Sequence, residues 1–296
     1  MKEVKIKTRD ERTIIVSCYE VTKPVASIVI VHGASEYIKR YEELALYLNK
    51  KNINVYGYDQ LGHGVNLNKE LNAIYFSDDD NAHIKLISDL EDVCLYVYTH
   101  NSSLPIFVFG HSMGSLVVRG LAIISRLNFN GLIICGTMNP SVKLLNSGLF
   151  LARSITKLRG KKKTSRFLNK LTFGKLEQKI SYNKNNVANY HKDEYCGLLF
   201  TNEAITELLL LTKMVCNKAN ICLMSKTKYF FIGGADDKFS DDGKQVQEVI
   251  DYMKGNNFDV SFKFYPQARH EILKEDCKDE VMGDINEFIA ANIKEK

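Results

Sequence analysis

Gly110-His111-Ser112-Met113-Gly114 stands between the apolar run Pro105-Ile106-Phe107-Val108-Phe109 and a pattern from Ser115 to Arg126 that puts Leu116, Val117, Gly120, Leu121 and Ile124 on one side. The run reads as a buried strand and the spacing after it as a helix. A strand that reverses into a helix within a few residues crowds its own backbone, so the positions two before and two after the apex favour residues without a side chain. Gly110 and Gly114 occupy those positions. Ser112 is then the apex, with its hydroxyl clear of the sheet edge and close to a helix N-terminus, where backbone N–H groups favour negative charge. Strand, turn and helix together form the nucleophile-elbow pattern of acyl transfer.

A G-x-S-x-G string by itself also describes an ordinary tight turn, and only the flanking strand and helix separate the two readings. A serine hydroxyl is a poor nucleophile at neutral pH. The pattern therefore requires a base, a group that orients the base, and donors for an oxyanion.

The rest of the chain alternates strand and helix around this turn. Thr13 to Val21 reads as an early strand, Ala26 to Val31 as a strand buried on both faces, Glu42 to Lys51 as a helix and Ile53 to Tyr58 as a strand. Ala82 to Tyr98 reads as a helix and Gly131 to Gly136 as a strand. From about Pro140 to Leu223 no strand is legible. Val142 to Leu158 and Glu203 to Val215 carry apolar residues at helical spacing, with a basic, Asn-rich stretch between them. The alternation resumes with a strand at Lys228 to Ile232, a helix at Asp242 to Lys254, a strand at Val260 to Tyr265 and a helix at Glu280 to Ile293. The expected fold class is α/β, a mostly parallel central sheet with helices on both faces and an inserted helical cap. The expected division is a core in two portions, 1–139 and 224–296, with the cap over 140–223 between them. Ligands in such sheets bind beyond the carboxyl ends of the strands, so the loops beginning at His32, Asp59, Gly110, Gly233 and Pro266 should converge.

With 296 residues, 45% of them apolar and 25% charged, the composition is that of an ordinary globular protein. The formal charge of +5 is small and the basic residues alternate with acidic ones, which indicates no nucleic-acid partner. Seven cysteines, odd in number and without a C-x-x-C spacing, argue against a disulfide framework or a structural zinc site. The first ten residues contain no apolar core of a signal peptide, and no run is long enough to span a bilayer. The expected setting is the cytoplasm.

The orienting acid belongs on a loop after a late strand, where Gly233-Gly234-Ala235-Asp236-Asp237-Lys238-Phe239 offers two adjacent carboxylates. The base belongs on the last loop before the terminal helix. His270, in Pro266-Gln267-Ala268-Arg269-His270-Glu271, is the only histidine after His191 and completes the chain order Ser, Asp, His. His111 adjoins the nucleophile and reads as packing beside the elbow, while His32 and His63 read as braces of glycine-bearing loops. The residue after the nucleophile supplies one oxyanion donor, the Met113 N–H, and Ala34 after His32-Gly33 is the natural second.

These residues resemble one family, the monoacylglycerol lipase and lysophospholipase branch of the α/β-hydrolases, also called the serine aminopeptidase S33-like group. The shared strings are His32-Gly33-Ala34-Ser35-Glu36 with Arg40-Tyr41, Asp59-Gln60-Leu61-Gly62-His63-Gly64, the elbow, Gly234-Ala235-Asp236-Asp237 and Ala268-Arg269-His270-Glu271. The resemblance implies the α/β-hydrolase fold and a triad of Ser112, Asp237 and His270, since the family's aspartate lies three residues after the glycine that ends its strand. It also implies substrate-binding roles for Glu36 and Arg40, the positions that hold glycerol hydroxyls in relatives that cleave monoacylglycerols; the alternative is an ion pair that braces the oxyanion loop. The further histidine of those relatives is replaced here by Leu273.

In the cap, Leu144, Leu145, Leu149, Phe150, Ile155 and Leu158 form one apolar stripe and Leu208, Leu209, Leu211 and Val215 another. Such stripes pack on a core or line an acyl tunnel. The run Arg159-Gly160-Lys161-Lys162-Lys163 offers a transient contact with a membrane surface, with a solvated loop as the plainer reading. The expected function is a serine hydrolase of carboxylic esters, with monoacylglycerols or lysophospholipids as substrates and no metal or organic cofactor. The alternatives are a short-chain esterase or thioesterase, and a non-catalytic binding protein of the same fold. The sequence sets no oligomeric state.

Overall fold

The computed structural model, which describes residues 1–174 and 179–293, opens with the antiparallel pair β1 (Lys2–Lys7) and β2 (Thr13–Tyr19). Strand and helix then alternate through β3 (Ala26–Val31), α1 (Glu42–Asn49), β4 (Ile53–Tyr58), α2 (Ala82–His100), β5 (Ile106–His111), α3 (Met113–Ile124) and β6 (Gly131–Cys135). Five helices follow: α4 (Val142–Arg159), α5 (Arg166–Phe173), α6 (Lys184–Lys192), α7 (Asn202–Cys216) and α8 (Lys218–Ile221). The chain closes with β7 (Lys228–Gly234), α9 (Lys244–Gly255), β8 (Asp259–Tyr265) and α10 (Lys278–Ala291).

The eight strands form one sheet in the order β1-β2-β4-β3-β5-β6-β7-β8. From β4 to β8 the pairing is parallel, and β1 and β2 are antiparallel additions at one edge. Every residue of β3, β4, β5 and β6 is buried, because helices cover both faces. Alternate residues serve opposite layers: Val29, Val31 and Val108 pack toward α2 and α3, and Ile28, Ile30, Phe107 and Phe109 toward α1 and α10. The carboxyl ends of β3, β5, β7 and β8 thus share one rim, as the pattern predicts. Among the described residues no helix is long and apolar enough to cross a membrane.

An edge strand and two short helices are among the elements absent from the sequence reading. β1 is an edge strand whose charged residues alternate with apolar ones, so Lys2 to Lys7 lacks the continuous apolar signature of the central strands. The Asn-rich stretch holds α5 and α6, whose starts are marked by Ser165 capping the Leu168 amide and Asn183 capping the amides of Asn185 and Asn186. Both helices are short, eight and nine residues, and few of their residues are buried, so neither carries a long apolar pattern to read.

α7 packs on α4 on one side and on α2 and α3 on the other, so it belongs to cap and core together. Arg119 of α3, fully buried, fixes this junction. Its guanidinium donates to Val215 O at 2.8 Å, to Met138 O at 3.0 Å and to Thr137 Oγ1 at 3.2 Å.

Candidate active site

The turn between β5 and α3 holds Ser112 at φ 52° and ψ −119°, a sparsely populated conformation for a residue with a side chain. Such a position stores about 1–3 kcal/mol and persists only where its surroundings over-determine it. Ser112 N–H donates to Cys135 O at 2.9 Å, and Ser112 O accepts from Ser115 N–H at 2.9 Å and Ser115 Oγ at 2.5 Å. The glycines are required by contact: a methyl at Gly114 would run into the carbonyl oxygens of Val31 and His32, and one at Gly110 into the Gly114 carbonyl.

The loops after β7 and β8 bring two more side chains to this apex. His270 Nε2 lies 2.8 Å from Ser112 Oγ, and His270 Nδ1 lies 2.8 Å from Asp237 Oδ2. Asp237 is 1% exposed and its other oxygen accepts from Phe239 N–H at 2.9 Å, which leaves Oδ2 directed at the imidazole. The Phe239 ring lies on His270 with centroids 4.5 Å apart. Of the two adjacent carboxylates, Asp236 instead accepts from Tyr182 OH at 3.1 Å. An aspartate on Nδ1 makes that nitrogen the N–H donor and leaves Nε2 to accept from the serine hydroxyl.

The loop after β3 closes the other side of the apex. A methyl at Gly33 would stand 3.1 Å from Ser112 Cβ, so this loop lies directly against the serine. Ala34 and Met113 line the same cavity as Ser112, and neither backbone N–H donates to a protein acceptor among the described residues. His63 Nε2 accepts from Ser35 N–H at 3.2 Å, and its Nδ1 faces Leu61 O at 2.8 Å. Burial pushes the His63 pKa down to about 3, so the ring is a neutral brace. His32 Nε2 accepts from Gln60 N–H at 3.0 Å in the same way.

Glu36 and Arg40 are both taken up by protein partners. Glu36 Oε1 accepts from Gly33 N–H at 2.6 Å and Tyr41 OH at 2.7 Å and lies 3.2 Å from His111 Nδ1, while Oε2 accepts from Arg40 at 2.7 Å. Burial by itself would raise the Glu36 carboxyl, but Arg40 and His111 hold it well below the usual carboxylate range. Arg40 also forks onto Glu271 at 2.7 and 2.9 Å, and burial, which would lower its pKa, is overridden by the two carboxylates. His111 packs beside the elbow as read, but with a second feature. Its Nε2 faces His270 O at 3.1 Å, so both ring nitrogens face acceptors.

Glu271, Asn186 and Tyr190 also meet Arg40, without a role legible in the sequence. Arg40 and Glu271 are 231 residues apart, and no spacing pattern links them.

Above the serine lies a cavity of about 400 Å³. Its roof is Leu145, Gly148 and Leu151 of α4, Leu168 of α5 and Leu208 of α7. The predicted cap stripe divides: Leu144 and Leu145 reach the cavity and Leu149 is buried, whereas Phe150 and Leu158 face outward at 76% and 83% exposure. Among the described residues no group of three His, Cys, Asp or Glu side chains is placed to hold a metal ion.

Three kinds of comparison bear on this arrangement. A monoglyceride lipase homolog of monkeypox virus is 26% identical over 290 residues, spanning 93% of this chain and 92% of the relative. The monoglyceride lipase of Rattus norvegicus is 23% identical over 276 residues, 91% of this chain and 84% of the relative. Among solved structures, a thermostable carboxyl esterase from Bacillus coagulans superposes with a TM-score of 0.89 at 23% identity over 99% of both chains. A monoglyceride lipase from Saccharomyces cerevisiae, in complex with a substrate analog, superposes with a TM-score of 0.78 at 19% identity over 96% of this chain and 93% of the other. At such identities the superpositions establish the fold. The family described as serine aminopeptidase, S33, matches residues 22–277, which hold strands β3 to β8 and the helical insertion. The chain belongs to that family and is a hydrolase with the α/β-hydrolase fold.

Proposed function

We propose that this protein hydrolyses monoacyl lipid esters, monoacylglycerols or lysophospholipids, with Ser112 as nucleophile, His270 as base and Asp237 as its orienting acid. The observation that carries this reading is the unbroken line Ser112 Oγ, His270, Asp237, with both links at 2.8 Å, at the floor of an apolar cavity. His270 Nε2 takes the hydroxyl proton as Ser112 Oγ attacks the ester carbonyl. The Ala34 and Met113 amides receive the oxyanion, each such donor contributing about 3–4 kcal/mol to barrier lowering. His270 then protonates the leaving alcohol, and the acyl chain stays under the cap, 140–223, until water, deprotonated by His270, cleaves the acyl-serine.

Three further observations support esters of lipids. The cavity roof is built of leucines, which suits an acyl chain. The rat relative is a monoglyceride lipase by name, and the monkeypox relative a monoglyceride lipase homolog. Glu36 and Glu271, the carboxylates beside the serine, are both paired with Arg40, which leaves neither as an anchor for the ammonium of an aminopeptidase substrate. The same pairing favours the bracing role for Glu36 and Arg40 over direct glycerol binding. All seven cysteines are free thiols, which fits a reducing cytoplasmic setting.

The test is labelling with a fluorophosphonate at neutral pH, wild type beside Ser112→Ala, followed by p-nitrophenyl esters of increasing acyl length. Labelling that disappears in the variant, with kcat/KM rising toward long chains, is the expected result. A short-chain optimum would replace the lipid reading with a general esterase, and a folded wild type that takes no label would replace it with a binding protein.

A second reading rests on the outer face of the cap. Phe150, Leu158 and Phe167 of α4 and α5 are each more than half exposed, among Lys143, Arg153, Lys157 and Lys170. Such a face suits transient contact with an anionic lipid surface. Lys161 and Lys162, by contrast, pair with Asp80 and Asp78, so the contact falls to the apolar side chains rather than to that basic run. Sedimentation with anionic vesicles should weaken in Phe150→Ser/Phe167→Ser and persist in Lys161→Ala/Lys162→Ala; the reverse pattern would discard this surface.

A further inference from the structure

Arg40 is a cation only 11% exposed, held by three parts of the structure at once. Glu36 belongs to the loop after β3, Glu271 to the loop that carries His270, and Asn186 to cap helix α6. Asn186 closes the cluster: its Nδ2 donates to Glu271 Oε2 at 2.6 Å while its Oδ1 accepts from Arg40 Nη2 at 3.1 Å. One turn further along α6, the Tyr190 ring lies under the guanidinium at 5.0 Å and its hydroxyl donates to Ser35 O at 3.0 Å. The Glu271 backbone N–H donates to Ile180 O at 2.8 Å, in the segment that leads into α6.

The acyl chemistry makes no demand for this cluster. Glu271 touches neither Ser112 nor Asp237, yet it is bonded to His270 through the chain. A bidentate guanidinium fixes the plane of a carboxylate as well as its position. Asn186 can satisfy both Glu271 and Arg40 only in one amide orientation and one seat of α6. Moving α6 would strand a carboxylate oxygen and a guanidinium N–H in a buried site, where unpaired polar groups are costly.

We propose that Glu271 is a positioning residue: through Arg40 and Asn186 it ties the docking of cap helix α6 to the alignment of His270 on Ser112. The base is then held in its working position while the cap is seated over the substrate. The inference rests on the Ser112, His270, Asp237 reading above, and it concerns the loop that presents the base rather than the reacting atoms.

The test uses Glu271→Gln, which keeps the shape and loses the charge, and Asn186→Leu, which leaves the Arg40 ion pairs in place and is expected to fold even if the first variant does not. Active sites are counted by fluorophosphonate titration, and kcat and KM are measured with p-nitrophenyl butyrate, whose acyl chain makes little use of the cap roof. Both variants should take the label and keep KM within about twofold, with kcat per titrated site falling by roughly 10- to 100-fold, the usual scale for small misplacement of a catalytic group. The fall should be larger in Glu271→Gln. A purely structural role would lower the melting temperature and the titratable fraction but leave kcat per titrated site unchanged, and that result overturns the proposal. A raised KM at unchanged kcat overturns it too, by making Glu271 a substrate contact. Failure of the hydrolase reading itself would show separately, as wild type that takes no label or Ser112→Ala that still does.

Discussion

His111 Nδ1 lies 3.2 Å from Glu36 Oε1 in a buried site, while the opposite ring nitrogen faces the His270 carbonyl oxygen. A neutral imidazole has one donor and one acceptor nitrogen, so two facing acceptors call for the doubly protonated ring. Burial alone would push the His111 pKa down, but the Glu36 carboxylate bonded to it more than compensates and the net shift is upward. Nitrogen-15 NMR at pH 7 should therefore show His111 with both ring nitrogens protonated, and a single-proton tautomer would refute the assignment.

The pair also carries a pH dependence. A raised His111 pKa stabilises the fold fully below the ordinary value of 6.5, and that contribution is lost as pH climbs through the folded-state value. A lowered Glu36 pKa stabilises the fold above the ordinary 4.5 and is lost as pH falls through its folded-state value. Both contributions are complete between these two ordinary values. At pH 6, Glu36→Gln is expected to cost about 3 kcal/mol in urea unfolding, the lower end for a broken buried pair because Arg40 keeps Glu271. A loss below 1 kcal/mol would mean that the pair contributes little.

Ser112 gives a second prediction through its backbone. Ser112→Ala and Ser112→Gly should both be inactive, but glycine removes the conformational strain at φ 52° and alanine does not. The glycine variant should be more stable than the alanine variant by about 1 kcal/mol. Equal urea midpoints would show the elbow to be relaxed.

The two neighbouring carboxylates should separate cleanly in kinetics. Asp237→Asn leaves the loop geometry in place but supplies the wrong partner to His270 Nδ1, so kcat should fall by roughly 10⁴-fold. Asp236, bonded to Tyr182 instead, should tolerate the same change within about twofold. A comparable loss at both positions would remove the distinction.

Gly148 of α4 stands in the roof of the cavity above Ser112. A methyl there would meet Leu209 at an ordinary 3.6 Å, so alanine is tolerated, while a longer side chain fills the cavity under α4. Displacing two methylenes of a bound chain costs about 1.6 kcal/mol, so Gly148→Leu should reduce kcat/KM for long acyl esters by roughly tenfold and spare butyrate. Uniform loss across the series would place Gly148 outside the acyl path.

Glu203, at the start of α7, supplies the last prediction. Its Oε1 is buried with no hydrogen-bond partner among the described residues, and burial pushes its carboxyl up to about 8. The folded protein keeps a proton that the unfolded chain releases near 4.5, so this group weakens folding progressively as pH rises from there to about 8. Glu203→Gln removes that slope. Its melting temperature should exceed that of wild type by a margin that widens between pH 5 and pH 8; a constant margin would mean that Glu203 is ionised throughout.

Residues buried on two faces announced themselves in the sequence. Ala26–Val31 and Ile53–Tyr58 end where the apolar runs end, and the glycines at 110 and 114 mark a turn whose crowding only glycine relieves. Helix α3 begins at Met113, two residues before its apolar pattern, because the Ser115 amide and hydroxyl both bond back to Ser112 O. What stayed hidden was long-range pairing. Nothing in the spacing of Arg40, Asn186 and Glu271 says that they meet, since each is an ordinary surface residue type on its own element. Asp236 and Asp237 differed only by which one the loop turns inward, a matter of backbone path that the loop's sequence leaves open.

Arg119 holds Met138 and Val215, the two ends of the stretch that carries the cavity roof, and the flanking strands β6 and β7 are already paired side by side. The stretch is thus closed at its base by contacts that α4 and α5 do not supply. Lengthening a connection whose ends are already held is cheap, with each doubling of a flexible segment adding only about 0.6 kcal/mol. The roof helices α4 and α5 are therefore an exchangeable part on a fixed socket. Descendants of this chain can acquire a new appetite by rewriting that part, while the apparatus that breaks the ester is inherited unaltered.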